Sequence, residues 1–127
     1  LTTTGFEFPN HAENFKRAVL DRVTISLDSL KADKFRQITG VDKLGEVLAA
    51  IESAGQNNFQ PVKINAVIIR GCNDDELIDF AAFARENELS FRFIEFMPLD
   101  SGHDWSREKV VSGKEIYAAI NARFPLK

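Results

Sequence analysis

A lysine lies inside a stretch that otherwise has the pattern of a β-strand. Apolar side chains at Val62, Ile64 and Ile68 share one face of a regular strand. The same alternation puts Lys63 and Asn65 together on the other face. An ammonium beside an amide is costly to bury in an apolar core. We therefore expect this second face to border a polar cavity, where Lys63 binds an anion such as a phosphate.

Two further stretches combine apolar strand character with polar side chains. Residues 23–28 alternate apolar side chains with polar ones, which include Ser26 and Asp28. Residues 91–97 carry Arg92 in an apolar frame. Polar groups near the ends of three predicted strands indicate one shared ligand site, because the carboxyl ends of parallel strands meet at one edge of a sheet.

The third stretch contains two charged residues that a regular strand cannot place on one face. Arg92 and Glu95 are an odd number of residues apart, whereas Glu95 and Met97 share the same parity. The alternatives to a ligand role for Lys63 are an ion pair with Glu95 and a lysine at a strand edge whose ammonium extends to solvent. Met97 is by type a core residue, but its place just before Pro98, at a strand end, also suits contact with a flat ring.

Helix and strand patterns alternate along the chain. This order predicts an α/β fold with parallel strands joined by right-handed helical crossovers, either half of a TIM-type β/α barrel or a small open sheet. A short strand is also expected at residues 1–3. The predicted helices are 10–20 with Asn10 as its cap, 34–38, 42–54 ended by Gly55, one opened by the acidic run 73–76, and one opened by a capping box at 112–115.

The composition allows one domain with an apolar core. Of the 127 residues, 44% are hydrophobic, and the net charge of −3 gives no general attraction to nucleic acid or to an anionic membrane. The longest apolar runs are shorter than the ~18–20 residues of a membrane helix, and no signal peptide is visible. We expect a cytoplasmic protein that binds neither nucleic acid nor membrane. Because the chain starts at Leu1, within a strand pattern, we also expect a fragment of a longer protein.

The cysteine and histidine residues do not form a metal-binding pattern. Cys72 is the single cysteine, and one thiol cannot hold an iron–sulfur cluster. Its loop before a helix allows a lowered thiol pKa, but no neighbouring base for a nucleophile is apparent. His11 and His103 lack ligand spacing and are expected to be solvated. We predict no metal site in this chain.

Five sequence blocks occur in an order that is similar to the central part of the GTP 3',8-cyclase family of radical S-adenosylmethionine (SAM) enzymes. The blocks are Leu-Thr-Thr-Thr-Gly at 1–5, Arg-Val-Thr-Ile-Ser-Leu-Asp-Ser-Leu at 22–30, Pro-Val-Lys-Ile-Asn at 61–65, Arg-Gly-Cys-Asn-Asp-Asp-Glu at 70–76 and Arg-Phe-Ile-Glu-Phe-Met-Pro-Leu at 92–99. The resemblance covers essentially the whole chain.

The resemblance implies a fold and an activity. The family has a partial barrel of six parallel strands and converts GTP to (8S)-3',8-cyclo-7,8-dihydroguanosine 5'-triphosphate in molybdenum cofactor biosynthesis. Residues 1–127 would be about half of this barrel, without the N-terminal and C-terminal segments that hold two 4Fe-4S clusters. The resemblance therefore implies SAM as a cofactor and 4Fe-4S clusters in the parent protein, with no cluster ligands in this chain.

The resemblance also implies roles for four residues. Thr2 and Lys63 match GTP-contacting positions, and Ser26 and Met97 match SAM-contacting positions. No catalytic side chain is implied, because the radical chemistry belongs to the cofactor. Thr4 replaces the family's usual Asn, and Val19 replaces a usual Gly. The expected partners are GTP and SAM, and a homodimer of the parent protein is compatible with the resemblance.

Two other functions are consistent with the residues. A mid-strand lysine that points into a cavity also suits an aldolase-like barrel, in which Lys63 forms a Schiff base with a carbonyl substrate. The chain could instead be a nucleotide-binding module without catalytic activity. We expect the isolated chain to be inactive if it is part of a cyclase, because it lacks the cluster cysteines.

Overall fold

The described part of the chain forms a four-stranded parallel sheet with helices packed against one of its faces. The computed structural model describes residues 1–18, 22–98 and 103–126. In chain order, the strands and α-helices of this part of the chain are β1 (Thr2–Thr3), α1 (Phe8–Arg17), β2 (Val23–Ser26), α2 (Ala32–Thr39), α3 (Leu44–Gln56), β3 (Val62–Ile68), α4 (Leu77–Glu86), β4 (Ser90–Glu95) and α5 (Gly113–Arg123).

The strands pair in chain order, β1-β2-β3-β4, and each neighbouring pair is parallel. This order confirms the prediction of adjacent parallel strands around Ile25, Ile64 and Ile94. Each connection is long enough for a helical crossover, as parallel pairing requires. The result is the parallel α/β architecture expected from the sequence, present here as an open sheet.

Burial along the sheet is one-sided. The alternate residues of β2 and β3, such as Ile25, Ile64 and Ile68, are fully buried in one apolar core with the helices. Val47 of α3 and Phe80 of α4 pack into the same core. The intervening residues of both strands are only half-buried. The sheet therefore has one helix-covered face and one open face, as alternation predicts for strands that border a cavity.

Several predicted helix boundaries are wrong. Helix α2 begins at Ala32 rather than at residue 34, and α3 begins at Leu44 rather than at residue 42. Helix α1 begins at Phe8 rather than after Asn10, because Pro9 fits the first helical turn and Glu7 occupies the N-cap position. Helix α3 continues through Gly55 to Gln56, and Asn58 behind it takes the left-handed conformation with φ 58°. Val19 and the end predicted for the first helix lie outside the described residues.

Other predicted helix ends are confirmed. Helix α2 stops at a left-handed Gly40 with φ 77°. Ser112 and Glu115 form the predicted reciprocal capping box at the start of α5. In residues 1–18, 22–98 and 103–126, no helix has the length and hydropathy needed to cross a membrane.

The turn after β1 needs glycine at one position. Gly5 has φ 89°, and a Cβ there would lie 3.0 Å from the Ala50 Cβ and 3.3 Å from the Ile25 Cγ2. Thr4, which stands where the resembling family has Asn, is not among the residues with positive φ. The left-handed conformation therefore falls on Gly5, and the β-branched Thr4 is not strained by it.

Asn73 ties together the ends of β2 and β3. Its Nδ2 donates to the carbonyl oxygens of Asp28 (2.7 Å) and Val67 (2.8 Å), and its Oδ1 accepts from the Ile69 N–H (2.7 Å). The side chain is fully buried and uses its hydrogen-bonding groups on backbone atoms of both strand ends. It continues the pairing of β2 and β3 past the last ladder pair of the two strands, Ser26 and Asn65.

Two acidic side chains extend this connection. Asp28 Oδ1 accepts from the Val67 N–H at 2.8 Å. Glu76, which is fully buried, accepts from the Ser29 hydroxyl (2.8 Å) and from the Leu30 N–H (2.9 Å). We call Asp28, Asn73 and Glu76 the strand-end clamp. The acidic run at 73–76 was predicted to open a helix, but residues 74–76 form a 3-10 turn and α4 begins at Leu77.

Replacement of Asn73 by Ala is expected to destabilise the fold by about 2–4 kcal/mol, because a buried N–H and two buried carbonyls lose their partner. The free energy of unfolding from urea titration measures this. Asn87→Ala is the matched control, since the exposed Asn87 makes a single side-chain bond to the Phe83 carbonyl. A similar loss of stability in the two variants would contradict a special role for Asn73.

The stability of Asp28→Asn relative to the wild type is expected to depend on pH. Burial raises the pKa of the Asp28 carboxyl above its ordinary 3.8, and the Val67 N–H only partly opposes this. The folded protein therefore keeps this proton at a pH where the unfolded chain has lost it, so stability falls as the pH rises from about 3.8. Asn retains an acceptor oxygen for the Val67 N–H but cannot ionise.

Unfolding of both proteins at pH 3 and pH 7 checks this expectation. The variant should gain stability relative to the wild type between pH 3 and pH 7. Asp33→Asn, at an exposed carboxyl in the first turn of α2, is the control and should not gain stability at pH 7, because a negative charge at a helix N-terminus is favourable. A difference between Asp28→Asn and the wild type that is the same at both pH values would contradict a raised pKa of the Asp28 carboxyl.

Candidate functional site

The open face of the sheet carries a layer of polar side chains. Register places Thr2, Thr24 and Lys63 in one row, because Thr2 pairs with Thr24 and Thr24 pairs with Lys63. Residues that pair across parallel strands point to the same side of the sheet. Lys63 pairs in turn with Ser90 of β4, which extends the row across all four strands.

A second row lies one step closer to the carboxyl ends of the strands. Ser26 pairs with Asn65, and Asn65 pairs with Arg92. The prediction that Lys63 and Asn65 share a face is confirmed by this register. Given a strand spacing of ~4.8 Å and a rise of ~3.3 Å per residue, the Cα atoms of Lys63 and Arg92 are about 8 Å apart.

The two cations of the open face have no ion-pair partner among the described residues. Lys63 is half-buried and Arg92 is exposed, and neither is hydrogen bonded to a described side chain. Glu95 pairs in register with the buried Ile68, which puts it on the helix-covered side, where its carboxylate accepts from the Gly113 N–H. The alternative pairing of Lys63 with Glu95 is therefore wrong.

The four residues singled out by the resemblance occupy different parts of this surface. Thr2 and Lys63 lie in the first row, and Ser26 lies in the second. Thr2 is exposed, whereas Ser26 is half-buried. Met97 lies beyond the end of β4, and half of its side-chain surface is exposed. The sheet register brings Thr2, Lys63 and Ser26 onto one face. Because β4 ends at Glu95, strand alternation does not determine on which face of the sheet Met97 lies.

Cys72 does not have the environment of an activated thiol. It is half-buried next to the strand-end clamp, and burial raises the pKa of its thiol above 9.0. The nearby carboxylates of Glu76 and Asp74 act in the same direction, and Lys34 only partly opposes them. The loop position allowed a lowered thiol pKa, but the surroundings of Cys72 raise it. Among the described residues no group of three His, Cys, Asp or Glu side chains is placed to hold a metal ion.

Arg92 and the clamp residues were not assigned to the site from the sequence. For Arg92 the sequence contained a usable signal. Strand alternation puts Arg92 on the same face as Ser90 and Ile94, and on the opposite face from Glu95. For Asn73 the signal was weak, since its partner Asp28 lies 45 residues earlier in the chain. A fully buried amide that serves two strand ends is apparent only after the strands are placed next to each other.

The open face is chemically suited to an anionic, polar ligand. An ammonium, a guanidinium, hydroxyls at Thr24 and Ser26 and the amide of Asn65 supply hydrogen-bond donors on one surface. Unpaired Lys and Arg side chains are the usual partners of phosphate oxygens. Ser26 is the last residue of β2, at the edge of the sheet where parallel α/β proteins bind their ligands. Asn65 and Arg92 lie in the middle of β3 and β4, so the expectation that the polar groups cluster at the strand ends holds for Ser26 and not for these two.

Curated relatives support a specific family. The chain is 42% identical over 126 residues to the GTP 3',8-cyclase of Streptomyces coelicolor, covering 99% of this chain and 37% of that protein. It is 44% identical over 126 residues to the GTP 3',8-cyclase of Syntrophomonas wolfei, covering 99% of this chain and 39% of that protein. The chain thus spans about two fifths of the length of these relatives.

A solved structure and a family model agree with the fold. A structure of TYW1 with a lysine-pyruvate adduct bound superposes with a TM-score of 0.70 at 17% identity, covering 96% of this chain and 39% of that chain. This likeness concerns the fold alone. The family model described as the Radical SAM superfamily matches residues 1–84, which run from β1 into α4. The chain therefore belongs to the radical SAM superfamily.

Proposed function

We propose that residues 1–127 are the central part of a radical SAM barrel with GTP 3',8-cyclase activity, in which the open face is one wall of the binding site. About 40% identity to several cyclases along nearly the whole chain supports this assignment. In such a protein this segment binds and orients ligands. The chain alone is inactive, because the remaining part of the barrel and the cluster ligands are contributed by other segments.

The unpaired cations of the open face are the observation that carries the proposal. Two positive side chains, Lys63 and Arg92, project from adjacent strands without a counter-ion among the described residues. Leaving an ammonium half-buried and unpaired is unfavourable unless a ligand supplies the negative charge. A triphosphate carries several negative charges and is longer than a single phosphate, so it suits two cations about 8 Å apart at their Cα atoms.

Thr2 and Lys63 are the proposed GTP contacts. Both lie in the first row of the open face, on β1 and β3, with Thr24 between them. Lys63 would neutralise phosphate oxygens as a compact point charge, and Arg92 would add a planar, bidentate contact. The Thr2 hydroxyl would bind a polar atom of the same ligand. These residues hold the nucleotide in a fixed orientation without forming a covalent bond to it.

Ser26 and Met97 are the proposed SAM contacts. The Ser26 hydroxyl lies on the second row of the open face, and the exposed Met97 thioether follows the end of β4. A hydroxyl and a polarisable apolar side chain fit the polar and flat parts of an adenosyl group. When bound, SAM supplies the radical chemistry of this superfamily.

The donor set of this chain does not fit an iron–sulfur cluster. The chain contains a single cysteine, Cys72, whose thiol pKa is raised by burial. Such clusters need several thiolates. The 4Fe-4S clusters of the proposed parent protein therefore require ligands from other segments, and no step of the reaction is assigned to them here.

The Schiff-base alternative rests on the same half-buried, unpaired Lys63. The two functions can be distinguished by chemical trapping. In the Schiff-base alternative, borohydride would trap a covalent adduct of Lys63 with a carbonyl substrate.

The cytoplasmic location and a homodimer of the parent protein stay predictions.

Replacement of Lys63 by Met, in a protein of the length of the relatives, is expected to weaken GTP binding by about 1.5–3 kcal/mol, roughly 10- to 150-fold. Met preserves most of the stem volume and removes the charge. Arg92→Met should act in the same direction. SAM binding should change little, because its proposed contacts are elsewhere. Calorimetry at one fixed salt concentration measures both affinities.

Lys114→Met is the control, because this exposed lysine lies in the first turn of α5, outside the open face. It should leave GTP affinity within about twofold of the wild type, which is the size expected for a distant, screened surface charge. Equal GTP affinity for Lys63→Met and the wild type would remove Lys63 from the nucleotide site. A borohydride-stable adduct at Lys63 would instead favour the Schiff-base alternative.

A further inference from the structure

The connection between β4 and α5 returns across the carboxyl ends of two strands. We call its described residues 103–112 the strap. The strap reaches the end of β3, where Val110 forms an antiparallel bridge with Ile69. It also contacts Phe96, the residue that follows β4. The strap therefore connects the carboxyl ends of β3 and β4, and the end of β4 leads directly to Met97. Lys63 is the second residue of β3 and lies at the opposite end of that strand.

One end of the strap is attached through the single tryptophan of the chain. The Trp105 indole Nε1 donates to the Phe96 carbonyl oxygen at 3.0 Å. Phe96 directly precedes Met97, the exposed residue proposed to contact SAM. Because the indole N–H is the only polar group of this side chain, its bond to Phe96 fixes the backbone just before Met97. Trp105 itself is half-buried.

The other end of the strap is attached through Arg70. The Arg70 backbone N–H donates to the Lys109 carbonyl (2.8 Å), and its Nη2 donates to the Val110 carbonyl (3.0 Å) and to Glu115 Oε1 (2.8 Å). The Ser112 backbone N–H, Arg70 and the Ser112 hydroxyl lower the pKa of Glu115 to about 2. Glu115 therefore stays ionised near neutral pH, and its ion pair with Arg70 is kept.

We propose that Trp105 is a positioning residue for the SAM side of the site: its bond to the Phe96 carbonyl, with the strap held at its other end by Arg70, fixes the backbone that presents Met97. This inference rests on the proposed function, in which Met97 contacts SAM. Trp105 touches no reacting atom in this account. Its effect is transmitted through Phe96 to the neighbouring side chain, and the GTP contacts on β1 and β3 are independent of it.

Trp105→Phe tests the proposal, because it removes the N–H and keeps an aromatic ring. In the holoenzyme, we expect SAM to bind about 2- to 10-fold more weakly, the range that corresponds to one lost hydrogen bond. GTP affinity should stay within twofold. A role in stability alone would lower the melting temperature or weaken both ligands together. Tyr117→Phe, an exposed aromatic residue of α5, is the control and should change neither affinity.

Arg70→Gln and Met97→Ala complete the experiment. If Trp105→Phe is too unstable to measure, Arg70→Gln tests the strap from its other end and should also weaken SAM binding more than GTP binding. Unchanged SAM affinity in Met97→Ala would overturn the SAM assignment of the proposed function, and this inference with it. Weaker SAM binding in Met97→Ala, but unchanged SAM binding in Trp105→Phe and Arg70→Gln, would overturn only the role of the strap.

Discussion

The buried side chain of Asn73 is the contact on which the geometry of the candidate site depends. The β-ladder between β2 and β3 ends at Ser26 and Asn65, yet the ligand-facing ends of these strands must stay at a defined distance. Asn73 bridges them through backbone atoms of Asp28, Val67 and Ile69. Since the amide uses both of its ends, a side chain with only donors or only acceptors cannot replace it.

The one-sided burial of the sheet explains why charged residues are tolerated in its strands. Ile25, Ile64 and Ile68 bury the helix-covered face completely, so the stability of the sheet does not require an apolar second face. The open face can then carry Lys63 and Arg92 at positions that a packed core would exclude. Strand alternation thus assigns the two roles to different faces of the sheet. The apolar side chains on the helix-covered face stabilise the fold, and the polar side chains on the open face are available to bind a ligand.

The periodic features of this fold could be predicted from the sequence, and the long-range ones could not. Strand parity alone placed Lys63 with Asn65, because the side-chain period of a strand is fixed. The end of α3 was misplaced at Gly55 because a glycine close to a helix end does not show which residue takes the left-handed conformation; that residue is Asn58. The clamp contacts join residues about 45 positions apart, which no local pattern reveals. Met97 lies past the strand, where parity no longer applies.

The central claim is that GTP binds on the open face of the sheet. A crystal structure of the parent-length protein with GTP would test this claim most directly, because it shows where the nucleotide lies. The account predicts that the triphosphate lies across the open face, with phosphate oxygens within hydrogen-bond distance, about 2.7–3.2 Å, of the Lys63 ammonium. The Arg92 guanidinium should face the same ligand from the neighbouring strand. Density for the nucleotide away from this face, with Lys63 paired to a carboxylate of another segment, would contradict it.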